Sequence, residues 1–180
     1  DTAKLFGMIP FQRLGRDDMA APHNYNNPNF HFVLQDCNGD VPLPWQSKRA
    51  IEHAFVFHPN ARVTVHCLEL QAMTTSTSVT RELDTFSDCG YDVRVQPLLV
   101  DSIVAEYRAS LGNNLDDPLK LSPNVLPFLI LWQHGGVYLS TTTYLQKELP
   151  KDGAEFKIVV DEEEMVMMSS PKGDAQLLPW

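Results

Sequence analysis

Positive charge is scarce in this chain of 180 residues. Only 14 Lys and Arg stand against 23 Asp and Glu, a formal net charge of −9. A nucleic-acid binder needs a basic face, so that partner is not expected. Long apolar runs are also missing. None approaches the roughly 18 residues that cross a bilayer, so no transmembrane span is expected. Cysteine is limited to Cys37, Cys67 and Cys89. Three is an odd number and none sits in a CxxC pair, so neither a disulfide framework nor a structural zinc site is expected. No Asn-x-Ser/Thr sequon occurs, which weighs against a glycosylated luminal protein. The chain starts at Asp1 rather than Met. The expectation is a processed chain or a fragment whose targeting segment has been removed.

What is present is the composition of one globular domain. Hydrophobic residues make up 43% and charged residues 21%, and a chain of this size buries roughly 70% of its unfolded surface. Residues 1–29 show little periodicity and end in a Pro/Asn-rich patch, which predicts an extended arm. Phe30 to Leu34 reads as a buried strand closed by the turn-forming Asp36-Cys37-Asn38-Gly39-Asp40. Ser47 is placed to cap a helix with Ala50, Ile51, Ala54, Phe55 and His58 inward and Pro59 as its stop. Arg62 to Leu68 alternates as a second strand. Val79, Leu83 and Phe86 mark a helix closed by Gly90, Val93 and Val95 a third strand, and Ile103, Val104, Tyr107 and Leu111 a further helix. Phe156 to Val160 is a last strand. The division predicted is an arm over 1–29, an α/β domain over 30–160 and a tail over 161–180, in which Met165 to Met168 is an apolar patch. Alternating strands and helices imply a mostly parallel sheet flanked by helices, with ligands at the carboxyl ends of the strands.

The stretch Ser122 to Pro150 carries the functional signal. An apolar helical run (Val125, Phe128, Leu129, Trp132) stops at Gly135-Gly136. A β-prone piece, Val137-Tyr138-Leu139, follows, then Ser140, Thr141, Thr142 and Thr143, then a second β-prone piece. The polar groups at the end of such a strand decide what a nucleotide-binding α/β sheet can hold.

Ile51-Glu52-His53-Ala54, His58-Pro59 and Trp132-x-x-Gly135-Gly136-Val137-Tyr138-Leu139 together resemble glycosyltransferase family 32, the DXD sugar-binding proteins related to α-1,4-galactosyltransferases and α-1,6-mannosyltransferases. The match covers roughly residues 30–150. It implies a GT-A (Rossmann-like) fold, a nucleotide-sugar donor, Mn²⁺ or Mg²⁺, and retention of configuration. In that family, Gly-Gly-x-Tyr-Leu is followed by two metal-binding aspartates and preceded by an Asp-x-x-Arg helix. The matching positions here are Ser140 and Thr142, and Asn124 and Pro127. All four polar positions differ, while the apolar frame with Gly135, Gly136 and Tyr138 stands. Hard cations need anionic oxygen ligands, and neutral hydroxyls do not supply them. Pro127 also places the helix start near itself, or kinks the helix.

No other residues repair the loss. Asp36 and Asp40 face the place where a nucleotide base would lie, but Asp and Asn in a turn commonly satisfy their own backbone. The run Asp161 to Glu164 reads as a solvated surface rather than a metal site. His31, His53, His58, His66 and His134 show no paired spacing, and Cys37 reads as a turn or buried thiol. Trp45 and Trp180 are candidate contact anchors. The reading is therefore a transferase-like domain with no catalytic residues, no metal and no cofactor, serving as an accessory subunit among protein partners. An organelle reached by a cleaved transit peptide suits it; the resemblance alone implies the Golgi or secretory lumen. Two other readings stay open. One is an active glycosyltransferase using a nucleotide sugar with Mn²⁺ or Mg²⁺ or a metal-independent variant site; the other is a sugar- or nucleotide-binding module without turnover.

Overall fold

The computed structural model describes residues 27–38, 40–69, 77–111, 125–149, 157–161 and 164–170. The arm up to residue 26 and the apolar end at Trp180 lie outside the described residues. Strands and helices alternate as the periodicity predicts: β1 (Asn29–Asp36), α1 (Trp45–Phe57), β2 (Arg62–Glu69), α2 (Ser78–Asp88), β3 (Asp92–Pro97), α3 (Val100–Leu111), α4 (Leu126–His134) and β4 (Gly136–Leu139). Two more strands, β5 (Lys157–Asp161) and β6 (Glu164–Ser170), complete a sheet of order β3-β2-β1-β4-β6-β5. β1 to β4 run parallel, whereas β6 is antiparallel to both β4 and β5.

Strand alternation sorts the core into two layers. Phe30, Phe32 and Leu34 of β1 and Val63 and Val65 of β2 pack on α1 and α2 through Ile51, Ala54, Phe55, Leu83 and Phe86. On the opposite face, Val33 and Leu68 meet Ile103, Val104 and Tyr107 of α3 and Leu129 and Ile130 of α4. Tyr107 and Trp132 close this second layer edge to face, with ring centroids 5.3 Å apart. Helix α2 is well started: Thr77 and Thr80 form a reciprocal capping box. Among the described residues, no helix is long and apolar enough to cross a membrane.

Four local expectations need correction. α1 begins at Trp45 directly after the extended Pro44, so Ser47 is a buried first-turn residue and not the cap. The second β-prone piece after Thr142 is not a strand. That segment is tied to α1 instead, with His53 Nδ1 2.9 Å from the Leu145 carbonyl and the Leu149 N–H donating to His58 Nε2 at 3.0 Å. Met165 to Met168 belongs to β6, so the sheet continues past the boundary expected at residue 160. A continuous apolar run has no period by which a strand can be recognised. Finally, Cys37 and Cys67 form a disulfide, with Cα atoms 5.9 Å apart. Parity and motif spacing concealed it, because the pairing depends on two parallel strands lying in register.

Pro127 sits in the first turn of α4, where its missing N–H is harmless. The helix ends at Gly135 (φ +66°), and Gly136 (φ +95°) starts β4. A Cβ on Gly136 would run into the Asn29 carbonyl oxygen and approach His31 Nε2 to 3.2 Å. Gly136→Ala is therefore expected to cost about 2–3 kcal/mol, from the left-handed backbone and the forced separation of β4 from β1. Urea denaturation checks this. A loss below about 0.5 kcal/mol, the range of an ordinary surface change, would contradict the close approach.

Candidate ligand cleft

The chain runs outward from β1 to β2 and β3, then returns to the other side of β1 as β4. Such a reversal leaves a crevice at the carboxyl ends of the two central strands. A cleft of about 580 Å³ lies there, within the usual size of small-ligand sites. β1 contributes Val33, Leu34 and Gln35; the first turn of α1 contributes Gln46 and Ser47 after Pro44. Leu126 and Pro127 come from the start of α4, Leu68 from β2, and Tyr138, Ser140, Thr141 and Thr142 from β4 and the turn after it.

Three of the four positions matched to donor-binding residues, Pro127, Ser140 and Thr142, meet in this cleft. Asn124 lies outside the described residues. The two hydroxyls at the aspartate positions bond to each other: Ser140 Oγ is 3.0 Å from Thr142 Oγ1. The Thr142 N–H approaches Ser140 Oγ at 3.4 Å, and the Thr143 N–H donates to the Ser140 carbonyl at 3.0 Å. Two carboxylates at these positions would repel without a cation between them. The hydroxyls close a neutral turn unaided. The donor set does not fit a divalent cation, and among the described residues no group of three His, Cys, Asp or Glu could hold one.

Asp36 and Asp40 do not line the cleft. Asp36 accepts the N–H of Asn38 at 2.8 Å, and the exposed Asp40 pairs with Arg81 at 3.1 Å. Gly135 and Gly136 form the helix-to-strand junction that brings Ser140 to the crevice. Gln35, Gln46 and Ser47 are lining residues that the motif-based reading passed over. The rule that ligands lie beyond the first strand and at the following helix start pointed to their positions.

The histidines hold a second surprise. His31, His66 and His134 lie 35 and 68 positions apart in sequence, yet their rings cluster under the sheet with centroids 5.1, 5.6 and 5.7 Å apart. The Gln96 amide Nε2 lies 3.1 Å from His66 Nδ1, and His66 Nε2 lies 2.9 Å from His31 Nδ1. An amide nitrogen only donates, so His66 accepts at Nδ1 and donates from Nε2. This arrangement suits a neutral ring. Burial, and secondarily the neighbouring His134, push the His66 pKa down to about 3. His58 is also lowered, by burial, against the opposing pull of Glu148.

No protein-family model matches the chain, and no curated protein matches it in sequence. Solved structures match it by fold rather than by sequence. A chain described as "PaToxG Glycosyltransferase" superposes with a TM-score of 0.51 at 14% identity, over 84% of this chain and 57% of that one. A second, described as "Structure of Transferase", gives a TM-score of 0.46 at 11% identity, over 86% of this chain and 76% of that one. This chain thus spans little more than half the length of the first neighbour. Together with the parallel strands, their helical layers and the crevice beside β1, the first superposition shows an α/β fold of the GT-A glycosyltransferase type.

Proposed function

We propose that this glycosyltransferase-like domain has lost metal-dependent sugar transfer and serves as an accessory subunit of a larger assembly. One observation carries the reading: the strand end that would have to hold a metal diphosphate presents Ser140 and Thr142 bonded to each other. A pyrophosphate needs its charge neutralised, and this turn offers no anionic oxygen for a bridging cation. Descent from glycosyltransferase family 32 is part of the proposal, supported by the Gly135 to Leu139 junction and its matching fold. Trp45, 66% exposed at the start of α1, supports a protein partner. The Cys37–Cys67 disulfide favours an oxidising compartment. That supports the secretory alternative over an organelle with a reducing interior.

Isothermal titration with UDP- and GDP-sugars plus Mn²⁺ tests the loss of transfer chemistry. No metal-dependent heat is expected, and micromolar binding that needs Mn²⁺ would overturn the proposal. A reconstruction gives the converse result. The double variant Ser140→Asp, Thr142→Asp is expected to melt lower than the wild type in chelator, from carboxylate repulsion, and to regain several degrees on adding Mn²⁺. The wild type should shift by less than about 1 °C, since a ligand stabilises only what it binds.

A further inference from the structure

We propose that segment 143–149, which leaves the turn after β4 and runs along α1, is a pH-operated latch: docked at both ends in neutral solution, it frees its far end in acid when His58 takes a proton. Two histidines hold it, His53 near its start and His58 at its end. Their two bonds make opposite demands on the proton. A carbonyl oxygen only accepts, so His53 Nδ1 must carry a hydrogen to hold the Leu145 carbonyl at 2.9 Å. The neutral ring in that tautomer and the imidazolium both meet this demand. A backbone N–H only donates, so His58 Nε2 must present a lone pair to hold the Leu149 N–H at 3.0 Å. An imidazolium has no lone pair. A proton on His58 therefore sets a donor against a donor at Leu149 and leaves the bond at Leu145 intact.

The packing divides the segment at the same place. Leu145 is buried in the core, and the Tyr144 ring lies 5.4 Å from that of His53, so the near end has anchors besides its hydrogen bond. Gln146, Lys147 and Glu148 are exposed, and Leu149 joins the core only in part. His58 is fixed in place. It caps α1, its N–H donates to the Ala54 carbonyl, and its own carbonyl accepts from the Ala61 N–H. Its ring is buried against Phe30 of β1, with centroids 5.5 Å apart. Burial lowers the His58 pKa from its ordinary 6.5, against the pull of Glu148 on the segment. Phe30 and Ala61 bring no charge, the carbonyl end of α1 favours a cation, and His53 faces the near end of the segment. The docked form thus takes the proton less readily than the freed form, whose ring reaches water. Docking is complete above about pH 6.5 and weakens as the pH falls toward the lowered value. Acid then exposes Leu149 and the polar run before it while the fold stands.

The test is amide hydrogen exchange followed by NMR on the 180-residue chain between pH 7.5 and 5, each rate normalised to the unstructured rate at the same pH. Below pH 6.5 the protection of the Leu149 amide should fall by up to about tenfold per pH unit, the limit for one proton. It should stay well below that of Phe32 and Val65 at every pH, because the opening is local. Nuclear Overhauser contacts between Leu149 and His58 should fade by pH 5, and those between Tyr144 and His53 should persist. His58→Gln, whose amide oxygen accepts at any pH, should keep the protection at neutral pH and lose its pH dependence. Glu148→Gln, an exposed change, removes the charge that favours the proton and should move the midpoint to lower pH. Protection of Leu149 that is flat with pH, or that matches Phe32 and Val65, would overturn the latch. So would an unaltered pH dependence in His58→Gln, an unmoved midpoint in Glu148→Gln, or Tyr144 contacts that fade together with those of Leu149.

Discussion

Stability is expected to fall by about 1.4 kcal/mol for each pH unit below 6.5, because His66 refuses a proton that the unfolded chain accepts. The ring is fully buried, bonded to Gln96 and His31, and flanked by His134. A second proton on Nδ1 would face the Gln96 amide hydrogens, so charging His66 breaks that bond as well as burying a cation. Its folded pKa of about 3 lies below the ordinary 6.5. For a base held neutral, the stabilisation is complete above the unfolded value. It declines as pH falls, and the decline stops only near the folded value. Between pH 7 and 4.5 the loss should reach roughly 3 kcal/mol, or about 5–10 °C in midpoint for a chain of this length. His58 adds to the same trend, its pKa being lowered by burial. Asp92 adds more below its usual range: burial raises its pKa, but hydrogen bonds and charge from Arg62 and Arg94 more than offset this. Urea denaturation at pH 7, 5.5 and 4.5 measures the slope. His66→Gln, which keeps an amide for both neighbours, should be less stable at pH 7 and show a flatter slope. An unchanged slope would remove His66 as its source.

Breaking the Cys37–Cys67 link should cost roughly 3–4 kcal/mol, the chain-entropy value for a closed loop of about thirty residues. The two residues are 30 apart in sequence and fully buried, one just past the end of β1 and the other within β2. The link therefore ties the carboxyl edge of the sheet together where the chain leaves β1 for α1. Cys37→Ser with Cys67→Ser, or full reduction, should lower the melting midpoint by about 10 °C. Thiol titration gives a direct count. The denatured, unreduced chain should show only the Cys89 thiol, and reduction should expose all three cysteines. Three reactive thiols before reduction would show that the link does not form.

The alternation of strands and helices was open to sequence reasoning because side-chain period reports which faces are buried. Phe30 to Leu34, the Val79-Leu83-Phe86 stripe and the Gly135-Gly136 stop all lie in the elements their spacing predicted. The hydroxyls at 140 and 142 were likewise visible in place of carboxylates, and that substitution is a matter of residue identity alone. Contacts between distant segments were not visible. The disulfide, the trio of His31, His66 and His134, and the addition of β6 beside β4 all join residues far apart in sequence. Local propensity says nothing about which strands become neighbours or in what register. The order β3-β2-β1-β4 is settled only when both faces of the sheet are covered at once. The chemistry available at the end of β4 was thus a property of the sequence. That Ser140 and Thr142 would share a cleft with Gln35, Gln46 and the buried Ser47 was decided by packing.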